Sequence, residues 1–223
     1  MIKNTFLYLF LLLPTILFAQ NYEEHDGLLS VEAEHFFKQE KEEIRKWYII
    51  DQNTKMELPD PDSTHAETAS GKRYIEILPD TRTNHDEKLN HGENFSNKAG
   101  KMAVVSYRIY VNNPGKYYIW VRAYSTGTED NGIHVGLDGK WPESGQRMQW
   151  CEGKEKWTWA SKQRTDENHC GEEQLIFLEI GKIGNHIISF SMREDGFEFD
   201  KFILTKEYIM PENEGPVESA TRN

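Results

Sequence analysis

Helical spacing of apolar residues is nearly absent from this chain of 223 residues, and only FFKQEKEEIRK (36–46) hints at a helix. A helical bundle is excluded on that ground, and the chain reads as nearly all β. Basic residues are scarce: 26 Lys and Arg against 37 Asp and Glu leave a formal charge of −11. A surface that negative repels phosphate backbones and anionic membranes, so nucleic acid is excluded as a partner. There is no GxSxG, HExxH or P-loop, which removes the common signatures of serine hydrolases, zinc proteases and nucleotide enzymes. No internal repeat exceeds a hairpin. Only two cysteines occur, Cys151 and Cys170.

What is present begins with MIKNTFLYLFLLLPTILFAQ (1–20), which has Lys3, an apolar run from Phe6 to Phe18 and a small Ala19 before the acidic NYEEHD. That is the pattern of a secretory signal, and Pro14 and the acidic flank argue against a membrane anchor. Its removal takes Lys3 away and brings the charge to −12. The remainder suits one domain, expected over 21–207, followed by a disordered tail or linker stub over 208–223. A secreted, periplasmic or extracellular chain holds its cysteines in an oxidising compartment, so Cys151 and Cys170 are expected to bridge. The loop they close is worth about 3 kcal/mol in the chain-entropy model. A zinc site using both thiolates and His169 is the competing reading.

Period-two alternation predicts strands in KMAVVSYRIYV (101–111), KYYIWVRAY (116–124), GIHVGL (132–137), EQLIFLEI (173–180) and HIISFSMR (186–193), with a further one in KRYIEIL (72–78). Asn113-Pro114-Gly115 is expected to join the first two as a hairpin, and the turn 181–185 the last two. The fold class is therefore an antiparallel β-sandwich or jelly roll. On KYYIWVRAY, Tyr117, Ile119, Val121 and Ala123 share one face. Tyr118, Trp120, Arg122 and Tyr124 share the other, which either lines a concave groove or packs under loops with Arg122 hydrogen-bonded. The segment 51–100 is otherwise loop.

Three stretches, SVEAEHF (30–36), GKYYIWVRAY (115–124) and MREDGFEFDKFILT (192–205), together resemble the galactose-binding-like sandwiches of family 6 and family 35 carbohydrate-binding modules and the C-terminal domain of family 115 glycoside hydrolases. The resemblance spans about 28–206. It implies a structural calcium held by an opening Glu-x-Glu and an Asp near the last strand, here Glu32, Glu34 and Asp200. Residues i and i+2 of a strand point to one side, so two such carboxylates would converge, and Ca²⁺ accepts six to eight oxygens in flexible geometry. The family places its sugar site variably, so no sugar-binding residue carries over.

The ligand residues are read from the chain itself. RMQWCEGKEKWTWASKQRTDENHC (147–170) sets Trp150, Trp157 and Trp159 in or beside a stapled polar loop. A sugar presents C–H patches and a rim of hydroxyls, which suits an indole plate flanked by polar groups. With these three, Trp141, Asp130, Asn131, Arg147 and Arg164 complete the expected site, and a satellite core under the loop is the alternative for each tryptophan. The cluster Arg82, His85, Asp86, His91 and Glu93 reads as a rim or solvated loop, its histidines lacking a familiar metal spacing. The expected function is a secreted, non-catalytic, monomeric binder of a poly- or oligosaccharide, without membrane insertion. The alternatives are a lyase or glycosidase on a sandwich and a structural protein-interaction module.

Overall fold

A computed structural model describes residues 21–222, so the expected leader at 1–20 lies outside the described residues. The strands in chain order are β1 (Asn21–Glu23), β2 (Leu28–Glu32), β3 (Lys38–Glu40), β4 (Lys46–Asp51), β5 (Arg73–Leu78), β6 (Val104–Val111), β7 (Gly115–Tyr124) and β8 (Gly132–Leu137). They continue with β9 (Met148–Gln149), β10 (Thr158–Ala160), β11 (Lys162–Gln163), β12 (Glu172–Glu173), β13 (Phe177–Ile180), β14 (Gly184–Met192), β15 (Glu198–Thr205) and β16 (Thr221–Arg222). One sheet runs β12-β11-β9-β8-β14-β6-β1-β16 with β3 beside β6; the smaller runs β10-β7-β15-β5-β4, with β13 on β7 and β2 on β15. The pairs are antiparallel except β1 with β6, which is parallel.

Alternation explains the packing. Val105, Tyr107, Ile109 and Val111 of β6 and Ile188, Phe190 and Met192 of β14 face Tyr117, Ile119, Val121 and Ala123 of β7, all fully buried in one core. Burying a large apolar side chain contributes about 1.5–3 kcal/mol, so these inner faces hold the layers together. In β15 the register with β7 shifts between Phe199 and Lys201. This bulge keeps both Phe199 and Phe202 in the core and lets Asp200 and Lys201 both leave it, the former toward Arg122 and the latter toward Glu32.

Four expectations are corrected. The turn Asn113-Pro114-Gly115 joins β6 to β7, but these strands lie in different sheets, and so do β13 and β14 across 181–183. Both turns are arches between layers, because each strand buries its apolar face on the shared core from the opposite side. The segment 36–46 forms β3 and a turn rather than a helix: its apolar residues do not recur on one helical face, and β3 instead pairs with the backbone of β6. Gln39 there brackets Trp47, accepting its backbone N–H at 2.7 Å. The segment 208–222 is not a free tail. It crosses the smaller sheet, where Ser219 N–H donates to Ser30 O at 2.8 Å and Lys201 Nζ to Pro216 O at 3.3 Å, and ends as β16 on β1. It takes up backbone groups on the edge of β2 that would otherwise lie open.

Glu24 ties the start of the domain to the β6–β7 arch. Its carboxylate accepts from the backbone N–H of Asn112 and of Asn113, each at 2.8 Å, and from that of Gly27. Burial acts to raise its pKa, but the hydrogen bonds from Asn113, Gly27 and Asn112 hold it below the ordinary range. Glu24→Ala is expected to lower unfolding free energy by about 2–3 kcal/mol in urea titration, since it strands three backbone amides at once, that of Gly27 buried. A loss under half a kcal/mol would show that water replaces the carboxylate.

Candidate functional site

The outer face of β7 carries Tyr118, Trp120, Arg122 and Tyr124, and beside its edge strand β10 a cleft of about 910 Å³ opens. Its walls are the start of the disulfide-tied loop, β10 itself and the C-terminal segment from Tyr208 to Asn213. Cys151 and Cys170 are bridged with Cα atoms 5.3 Å apart, so the zinc reading of these thiols falls. The bridge fixes the loop that forms one wall.

Trp120, Trp159 and Ile203 make a small apolar cluster under the cleft, with Tyr208 packed on it. The Tyr208 ring lies 4.8 Å from that of Trp120 and its hydroxyl donates to Ser161 O at 3.1 Å. Three buried polar atoms of lining residues lack a hydrogen-bond partner among the described residues: Trp120 Nε1, Arg122 Nε and Ser161 Oγ. All three residues are more than nine-tenths buried. Leaving a buried donor unsatisfied costs about 1–3 kcal/mol, so three beneath one cleft concentrate that cost there. Arg122 is otherwise committed: Nη1 donates to Asp200 Oδ2 and its guanidinium stands 5.6 Å from the Trp157 ring.

The expected tryptophans divide. Trp150, Trp157 and Trp159 all line the cleft. Trp150, however, is 1% exposed and packs edge-on against Phe197 in the core. Trp159 is 8% exposed, donates to Asn213 O at 3.0 Å, and is covered by Gly215, where a β carbon would come within 2.6 Å of the indole. Trp157 is half-buried, wedged against Tyr74 and Tyr124 with its N–H directed at His65 O, 3.4 Å away. Trp141 lies elsewhere, on the outer side of the larger sheet over Gly100 and Gly136, where side chains would collide with its ring.

The polar partners expected from sequence do not line the cleft. Asp130 accepts from Ser125 Oγ at 2.8 Å and from the backbone N–H of Thr126 and Gly127, closing its own turn. Asn131 Nδ2 donates to Thr128 O at 2.8 Å. Arg147 Nε donates to Arg164 O at 3.1 Å, and the backbone N–H of Arg164 returns a bond to Arg147 O. These side chains build loops because short turns need internal acceptors and donors. Around them, buried His134 has its pKa pushed down to about 4 by desolvation and stays neutral, accepting from Arg147 N–H. In the 80–95 loop Arg82 pairs with buried Glu129, which His85 also meets, while Asp86, His91 and Glu93 are exposed.

The expected calcium ligands are close but differently placed. Glu34 sits in a 3₁₀ turn (Ala33–His35) past the end of β2, so it does not share a strand face with Glu32. Glu32 Oε1 meets Lys201 Nζ at 2.8 Å and Ser70 Oγ at 2.8 Å; Asp200 accepts from Ser70 N–H at 2.8 Å besides Arg122. Among the described residues the three do not form a group whose ligand atoms all lie within 4.8 Å of one another. Yet Glu32 Oε2 and Glu34 Oε2 are buried without partners among those residues. Burial raises the pKa of Glu34, and that of Asp200 rises to about 7 against the opposing pull of Arg122.

Of the lining groups that the expected site omitted, Trp120 and Arg122 were visible in the alternation of β7. Ser161 and Tyr208 carried no signal, the latter because it falls in the segment expected to be a tail.

A family model described as the glycosyl hydrolase family 115 C-terminal domain matches residues 59–218. Uncharacterized protein P23 of Formosa agariphila is 55% identical over 202 residues, covering 89% of this chain and 49% of that protein. The chain therefore spans about half the length of that relative. Among solved structures, a Podospora anserina GH26-CBM35 β-(1,4)-mannanase aligns at 12% identity over 84% of this chain and 29% of that one, TM-score 0.46. A family 35 carbohydrate binding module from Clostridium thermocellum aligns at 12% identity over 79% and 96%, TM-score 0.41.

Asp80, 9% exposed, has its pKa pushed up to about 7 by burial and by neighbouring Asp195. A raised folded-state value means the native protein holds a proton that the unfolded chain releases. Its stabilising effect is complete below the ordinary 3.8 and is lost as pH rises through about 7. The melting temperature is expected to fall by several degrees between pH 5 and pH 8, and Asp80→Asn to flatten that slope. An unchanged slope in the variant would assign it to other carboxylates.

Proposed function

The chain belongs to the family of glycosyl hydrolase family 115 C-terminal domains, and from that premise we propose that it is a secreted, non-catalytic module that binds a poly- or oligosaccharide in the cleft beside β10. The observation that carries the reading is the set of three unpartnered buried donors, Trp120 Nε1, Arg122 Nε and Ser161 Oγ, in a cleft walled by aromatic rings. These donors are covered in the free protein, so sugar hydroxyls accept from them once a wall side chain gives way, while the C–H face of a pyranose lies against indole and phenol rings. Trp157 and Tyr208, both half-buried, are the rings a ligand can reach. The disulfide and the strap from Tyr208 to Asn213 hold the walls before the ligand arrives, which reduces the ordering cost of binding. Secretion fits a bridged cysteine pair, and no helix among the described residues is long and apolar enough to cross a membrane.

Calcium at Glu32, Glu34 and Asp200 belongs to the same reading. Two orphaned carboxylate oxygens support it, with Lys201 and Arg122 competing for the same charge. The ion would neutralise the crowded carboxylates and pin the 3₁₀ turn to β15.

Affinity electrophoresis of the mature protein through a panel of neutral and uronate polysaccharides tests the binding site. Trp157→Ala and Tyr208→Ala are each expected to weaken retention at least tenfold with little change in melting temperature, whereas Trp141→Ala leaves retention as it was. Retention lost only in Trp141→Ala would move the site to the larger sheet, and released product would make the protein an enzyme. For the ion, calcium is expected to raise the melting temperature of the wild type and not of Glu34→Gln. Identical melting with calcium and with EDTA would remove it.

A further inference from the structure

A second constellation lies on the outer face of the smaller sheet, under the loop PDPDSTH (59–65). Glu76 of β5 and Glu198 of β15 stand opposite one another in register, and each is 2% exposed. Like charges directly opposite on a sheet repel, and burying them adds a large desolvation cost. The loop above brings more ligand atoms rather than counter-charges. Asp62, His65 and Glu198 place theirs within 4.8 Å of one another, as do Asp60, Asp62 and Glu76, so the two groups share Asp62.

The partners of these groups are unequal. His65 Nδ1 lies 2.8 Å from Glu198 Oε1, and Thr126 Oγ1 donates to Asp62. Among the described residues no donor is hydrogen-bonded to Glu76, although its side chain is almost wholly buried and its carboxylate reaches Asp60 and Asp62. The nearby cations are engaged elsewhere, Arg122 with Asp200 and Lys154 at 3.9 Å from Asp130. Burial and the neighbouring acids raise Glu76 and Glu198 well above the usual carboxylate range.

We propose that Asp62, His65 and Glu198 bind a divalent transition-metal cation of the manganese or zinc type, with Asp60 and Glu76, which form a second triad on Asp62, adding negative charge beside it. Carboxylates with one imidazole suit these ions, whereas calcium takes oxygen alone. The cation supplies the positive charge the buried pair lacks and fixes segment 59–65 on the sheet. That segment bears on the cleft: the His65 ring stacks on Tyr124 with centroids 3.6 Å apart, and His65 O accepts the Trp157 N–H. The site is independent of the sugar reading and of the calcium ligands.

Metal-stripped wild type, Glu76→Gln, Asp62→Asn and Glu34→Gln, titrated with MnCl₂, ZnCl₂ and CaCl₂ by calorimetry and followed by thermal melting, test it. The wild type is expected to bind Mn²⁺ or Zn²⁺ stoichiometrically and to melt several degrees higher with it. Glu76→Gln and Asp62→Asn are expected to lose at least tenfold in affinity for that ion, while Glu34→Gln, changed in its response to calcium, binds Mn²⁺ or Zn²⁺ as the wild type does. Without metal, Glu76→Gln is expected to melt at or above the wild type, because an amide relieves the repulsion. Absence of stoichiometric binding of either ion to the wild type overturns the proposal, and so does equal binding in Glu76→Gln and Asp62→Asn.

Discussion

Arg122 and Asp200 meet across β7 and β15 on the outer face of the smaller sheet, both almost fully buried. Removing either partner would strand a charge in a dry environment, at a cost of about 3–5 kcal/mol. The surroundings follow from keeping the pair intact. The bulge between Phe199 and Lys201 turns Asp200 out of the core, Ser70 N–H caps its second oxygen, and the Trp157 ring lies against the guanidinium. Arg122 spends Nη1 on Asp200, and its Nε is buried without a partner among the described residues. One ion pair thus joins the sheet to the wall of the cleft.

The inner faces of the sandwich were legible in the sequence because alternation is a local signal. GIHVGL coincides with β8, and the two-faced pattern of KYYIWVRAY is the pattern of β7. Which sheet a strand joins is not local, so the arches after β6 and β13 read as hairpins. The disulfide was legible from a single pair of cysteines behind a secretory pattern. Half of the site was not: a loop aspartate such as Asp130 looks the same whether it faces a sugar or caps its own turn, and only coordinates show three turn donors on it. The strap was missed for a similar reason, since its hold on the sheet comes through backbone groups of Ser219 and Pro216 that composition does not reveal.

Negative charge is also organised in space rather than spread evenly. Glu32, Glu34 and Asp200 on one side and Asp60, Asp62, Glu76 and Glu198 on the other are gathered on or beside the outer face of one sheet, with Lys201 and Arg122 answering only the first group. A formal charge of −11 therefore describes the chain poorly as a uniform field. The aromatic wall lies next to these groups, with Trp157 bridging the acidic loop and the cleft.

The central claim is that the unpartnered donors of the cleft are completed by a saccharide. The indole N–H resonances of the six tryptophans report on it directly. In a ¹⁵N-labelled protein titrated with an oligosaccharide that it retains, the Trp120 and Trp157 signals are expected to shift together while those of Trp47, Trp150 and Trp141 stay fixed. Saturable binding that leaves Trp120 unmoved and shifts amides of the 80–95 and 125–131 loops instead would contradict the account.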